Sequence, residues 1–148
     1  MNKKELSRIL EFGTKEEIKK LADMVVNNHT AVITKEPEKT MVMIQAKEPN
    51  SQTGFYLGEL LAAQCYVEID GAKGLSVMAG DDLEKVKFAA IIDGAHTAKI
   101  SEWNGLEQEL LKIEKCRQTK IRKEAALYRD TQVNFRVMED RDEKEVSI

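Results

Sequence analysis

Hydrophobic positions repeat near every 3.6 residues at the start and end of the chain and every second residue in between. Leu6, Ile9 and Leu10 make a short apolar helical face that Gly13 ends. Thr14 followed by Glu17 is a capping-box pattern, in which each side chain satisfies a free backbone N–H at a helix start. Ile18, Leu21, Ala22 and Val25 then recur at helical spacing, and Asn27-Asn28 supplies a stop.

The period then changes to two. Thr30 to Lys35 is rich in β-branched residues, Glu36-Pro37-Glu38-Lys39 reads as a turn, and Thr40 to Lys47 alternates, with Val42, Ile44 and Ala46 on one face. The short linker predicts an antiparallel hairpin. Pro49 to Gly54 is a run of turn-formers and marks a loop. Leu60 to Ile69 reads as a longer strand with Leu61, Ala63, Cys65, Val67 and Ile69 on one face. Asp70 to Gly74 turns the chain, and Leu75, Val77 and Ala79 alternate in a fourth strand.

Gly80-Asp81-Asp82 ends that strand, and Asp81 with Glu84 forms a second capping-box candidate. Phe88, Ile91, Ile92 and Ala95 mark the buried face of the helix that follows. Asn104-Gly105 interrupts it, and Leu106, Leu110, Ile113, Ile121 and Tyr128 form a thin stripe in a second helical run. Thr131 to Met138 reads as a last strand, followed by a charged tail over about residues 139–148. The expected fold is α+β: a mostly antiparallel sheet of four or five strands flanked by N-terminal and C-terminal helices, in one domain over residues 1–148.

Composition narrows the function classes. With 42% hydrophobic and 33% charged residues, the 148-residue chain has enough apolar surface for a single core. A net charge of −3 argues against a dedicated nucleic-acid binder, which needs a positive footprint. Cys65 and Cys116 form no CxxC pair and read as reduced thiols. No apolar h-region follows Lys3-Lys4, and no apolar run reaches the roughly 20 residues of a membrane span, so the expected location is cytoplasmic.

Candidate chemistry is sparse. The sequence contains no phosphate-loop, dinucleotide-binding, HExxH or GxSxG pattern. Gly71-Ala72-Lys73-Gly74 superficially suggests a phosphate cradle, but it lies between strands, with no helix N-terminus to converge N–H groups. Neither His29 nor His96 has a second ligand at metal spacing, so no metal site is expected. Asp93, three residues before His96, is placed to orient it as a general base, although a structural histidine is the commoner outcome. Glu59 follows Gly58 in an aromatic-rich segment, where an acid either binds a ligand or discourages strand pairing. The basic stretch Lys112 to Lys123 either steers a polyphosphate substrate or grips an acidic partner, or is a solvated helix face, the commoner outcome.

Several segments together resemble one family. Pro37 to Lys47 (PEKTMVMIQAK) resembles P-E-x-G-L-V-M-x-Q-A-R, and Phe55 to Leu61 (FYLGELL) resembles F-x-L-G-E-V-L. Cys65 to Gly71 is similar to a C-x-V-x-x-x-G stretch, and Leu75 to Asp82 to the G-x-x-M-V-L-G-R-D approach to a helix. In order and spacing these resemble the PhnG subunit of the carbon–phosphorus lyase system, over roughly the whole chain. Two departures stand out. Asp81-Asp82 occupies the place of a basic residue and aspartate, and Asn134 to Asp140 gives an acidic ending where the family commonly has D-F-F-x-M-V-R-G.

The resemblance implies an accessory subunit in organic phosphonate catabolism. The assembled system displaces adenine from ATP with an alkylphosphonate, giving α-D-ribose 1-alkylphosphonate 5-triphosphate, and a later radical step elsewhere breaks the carbon–phosphorus bond. It implies PhnI-type nucleosidase, PhnH-type and PhnJ-type partners, with no cofactor held by this chain, ATP and phosphonate being substrates of the complex. Phe55, Leu57, Gly58, Glu59 and Cys65 are then the expected interface or substrate-shaping residues. Two other readings stay open: a homodimeric ligand-binding or regulatory domain, and an independent enzyme using His96 and Asp93.

Overall fold

A computed structural model describes residues 1–133. The chain divides into two units, Met1–Arg117 and a second that begins at Gln118. The first contains α1 (Lys3–Phe12), α2 (Lys15–Asn28), β1 (Ala31–Lys47), β2 (Gly54–Ile69), β3 (Ala72–Ala79), α3 (Leu83–Ala98) and the start of α4 (Trp103–Arg129). In the second, α4 continues to Arg129 with Ile121, Leu127 and Tyr128 exposed.

Local chemistry explains the helix boundaries. Both N-terminal helices open on complete capping boxes: Asn2 with Glu5, and Thr14 with Glu17 as the sequence predicts. Helix α3 is capped one residue later than the pattern implies. Asp82, not Asp81, accepts from the Lys85 N–H at 3.0 Å, while Glu84 is drawn outward into an ion pair with Lys15. Lys99, at φ 52, ends α3 in the left-handed region. Asn104 and Gly105 lie inside the first turn of α4 and do not interrupt it.

Among the described residues the sheet has three antiparallel strands in the order β1-β2-β3, against the four or five expected. Glu36-Pro37 is no hairpin turn. Residues Ala31–Lys47 form one continuous strand whose register shifts at Ile33/Lys35 and Lys35/Glu38 absorb the proline in bulges. An edge strand tolerates this, because a missing N–H on its outer side breaks no ladder bond. Thr131 to Val133 carry no strand, and the remainder of the expected last strand lies outside the described residues. The β2–β3 turn is two residues long, with Asp70 (φ 48) and Gly71 (φ 83) both left-handed, as such a hairpin requires.

Helix α3 lies across β2 and β3, and α1 and α2 pack on α3. The core therefore sits on one side of the sheet, where Ala63, Cys65, Val67 and Ile69 meet Val86, Ala89, Ala90 and Ile92. Leu6, Ile18, Leu106 and Leu110 complete it from the other helices. In β3 the inward side chains differ from those the alternation suggests. Gly74, Ser76 and Met78 pair with inward-facing Val67, Cys65 and Ala63, so Leu75, Val77 and Ala79 face outward. A helix seated this close needs small residues beneath it, which Gly74 and Ser76 supply, while Met78 packs against the core at the end of the strand.

Candidate functional site: a projecting hairpin arm

Strand β3 ends opposite Ala62, but β1 and β2 continue past it as a two-stranded ribbon, Met41–Lys47 against Gly54–Leu61. At about 3.3 Å per residue the ribbon extends roughly 25 Å. Every residue of Gly54–Leu61 is exposed. The predicted loop closes the tip, with Glu48 N–H donating to the Thr53 carbonyl (3.0 Å) and Gln52 N–H to that of Glu48 (2.9 Å). The Ser51 N–H donates to the Glu48 carboxylate, which the Ser51 side chain first, and then the Ser51 and Asn50 N–H groups, hold below the usual carboxylate range.

The arm is apolar on both sides. Met41 pairs with Leu61 and Met43 with Glu59 on the side that, lower down, carries the core. Val42 pairs with Leu60 and Ile44 with Gly58 on the other. Between Ile44/Gly58 and Gln45/Tyr56 the register advances one residue on β1 and two on β2, so Leu57 is the extra residue of a bulge. Leu57 is 67% exposed and Tyr56 64%, among the most exposed large apolar residues described. A Cβ on Gly58 would meet nothing within 4 Å, so the bulge is open space.

Phe55, Leu57, Gly58 and Glu59 are thus brought together on this arm, and Cys65 is not. Cys65 is 0% exposed in the core, its thiol donating to the Lys35 carbonyl at 3.4 Å, and burial pushes its pKa up. It packs; it presents nothing outward.

Asp93 and His96 do not meet as a base pair. The Asp93 carboxylate accepts from the Leu75 N–H (3.0 Å) and from Lys3 Nζ (3.2 Å), fastening the outer edge of β3 to α3 and α1. His96 Nε2 donates to the Met1 carbonyl at 3.1 Å, its ring stacks edge-on against Trp103, and its buried Nδ1 has no partner among the described residues.

His29, set aside in the sequence, is the more heavily engaged histidine. Its Nδ1 lies 2.5 Å from Asp70 and its Nε2 2.9 Å from Glu102. With both nitrogens donating, the ring is an imidazolium, and the bonds to Glu102 and then Asp70 raise its pKa above 6.5. His29 in turn lowers both acids, Glu102 to about 2. The cluster ties the end of α2, the β2–β3 turn and the α3–α4 connection. No local spacing signals it, because its members are separated by 41 and 73 residues in sequence.

The arm carries the F-x-L-G-E-like segment on a bulge. A family model described as phosphonate metabolism protein PhnG matches residues 1–140. The chain belongs to the PhnG family. That gives it a role in phosphonate metabolism. A search of curated proteins finds no match to the chain. In this PhnG-family chain, no helix among the described residues is long and apolar enough to cross a membrane.

Proposed function

We propose that this chain is an accessory subunit of the carbon–phosphorus lyase core complex. In this reading it supports displacement of adenine from ATP by an alkylphosphonate, giving α-D-ribose 1-alkylphosphonate 5-triphosphate. A PhnI-type nucleosidase carries the glycosidic chemistry, with PhnH-type and PhnJ-type subunits as further companions. The observation that carries the reading is the arm. An isolated two-stranded ribbon is marginal in water, and one with Met41, Met43, Leu57 and Leu61 open to solvent is stabilised when another polypeptide covers it. Family membership supplies the pathway, and the arm supplies a reason for a subunit role.

Co-expression with PhnI-type and PhnH-type subunits tests it. The chain should co-elute with them, and a Glu59→Ala variant, still folded, should lower adenine displacement by phosphonate in the assembled complex. Separate elution of all three removes the subunit reading, and unchanged displacement removes Glu59 from the substrate-shaping residues.

A further inference from the structure

The sheet face turned away from α3 has a pattern of its own. Midway along it, Thr40, Ala62 and Ala79 pair across all three strands, a row of small residues. On the arm side of that row stand Val42 with Leu60, then Ile44. On the body side stand Val77, then Tyr66 with Leu75. All six of these large residues are at least 37% exposed.

We infer that this face pairs with the same face of a second copy, the two-fold axis passing through the Thr40–Ala62–Ala79 row. An axis there lays the arm rows of one copy over the body rows of the other, so both apolar stretches of each chain are covered at once. That is the self-complementarity an isologous interface requires. Small residues on the axis let two sheets approach to the roughly 10 Å of face-to-face packing. Charge permits it. Thr40 to Ala46 carries no ionised side chain, and the charges on the body rows come in pairs of opposite sign, Lys35 bridged to Glu38 and Glu68 opposite Lys73. Size permits it too: from their fractional exposures, the apolar side chains on this face offer on the order of 600 Å² per copy. A stable interface covers roughly 800 Å² per partner, so the polar residues beside them, Gln64 and the Lys35–Glu38 pair, have to be covered too. The other side of the arm, with Met41, Met43 and Leu61, remains open to a different polypeptide, so the pairing stands whether or not the accessory-subunit reading does.

Sedimentation equilibrium of the full chain decides it, with circular dichroism confirming that each variant folds. The wild type should be a dimer. Ala79→Arg, which sets like charges against each other at the axis, and Leu75→Glu should each weaken it by roughly 100-fold or more, as a buried unpaired charge does. Val26→Glu, an exposed apolar site on α2, should leave it unchanged. If Ala79→Arg fails to fold, Leu75→Glu carries the test alone. A monomeric wild type overturns the inference, as does a dimer that both variants leave intact or that Met43→Glu breaks in their place. A dimer that forms while no companion subunit co-elutes sinks the accessory reading and leaves this one standing.

Discussion

Gly74 in β3 lies directly against Gly94 in α3. A Cβ built on Gly74 would stand 2.5 Å from the Gly94 amide nitrogen and 2.3 Å from the Ala90 carbonyl oxygen. Both obstacles are backbone, so neither can swing aside, and the helix sits where it does because that side chain is missing. Gly74→Ala is therefore expected to lower stability by about 3 kcal/mol or more, the upper range for overpacking. Gly105, exposed in the first turn of α4 with open space around it, should behave oppositely. Gly105→Ala should stabilise by about 0.5–1 kcal/mol through helix propensity. Denaturant midpoints of the two variants check both signs.

Asp93 holds the outer edge of β3 through the Leu75 N–H. Asp93→Ala leaves that partly buried donor without its acceptor and should cost about 1–3 kcal/mol. His96→Ala, which removes a ring packed on Trp103, should destabilise as well. A double-mutant cycle measured by urea unfolding should show a coupling of about 0.5 kcal/mol or more, because the two side chains tether the same N-terminal segment, Asp93 through Lys3 and His96 through the Met1 carbonyl.

The His29 cluster predicts a pH dependence with two sides. His29 has a folded-state pKa above 6.5, so its contribution is full below pH 6.5 and is lost as pH rises through the raised value. Asp70 and Glu102 are lowered from 3.8 and 4.5, so their contributions are full above those values and are lost on acidification, for Glu102 down to about 2. The cluster is thus strongest between about pH 4.5 and 6.5. The melting-temperature gap between wild type and His29→Gln should be widest there and narrow on both sides. A gap that grows with pH above 7 would contradict the imidazolium assignment.

Cys65 and Cys116 should separate cleanly in reactivity. Cys116 is exposed, whereas Cys65 is buried with its thiol pushed toward the protonated form. A thiol reagent should titrate Cys116 in the native protein and Cys65 only after unfolding. Native labelling at Cys65, read by peptide mapping, would show that α3 lifts from the sheet.

The first two helices and the cap of α2 were legible because their determinants are local. Thr14 and Glu17 are three residues apart and satisfy each other's backbone N–H groups wherever the rest of the chain goes. The arm was half legible. Its alternation and its loop could be read, but β1 looked like two strands, because a proline that breaks a central strand is harmless on an edge, and edge position is a property of the whole sheet. Phe55, Leu57, Gly58 and Glu59 were grouped by resemblance, and Cys65 was grouped with them although it lies in the core. The distinction depends on where β3 ends beside β2, which no spacing within β2 reveals.

By itself the sequence determined the α+β class, the Thr14–Glu17 helix start, the loop after Lys47, the Asp70–Gly71 turn and the family, all set by residues within a few positions of one another or by their order along the chain. Tertiary structure alone decided which face of β3 is inward, that His29 rather than His96 is clasped by acids, and that the hairpin outruns the core. Alternation marks two faces without saying which one a helix will cover. That choice is made by the close seating of α3 at Gly74 and Gly94, a contact between residues 20 positions apart whose cause is the absence of side chains.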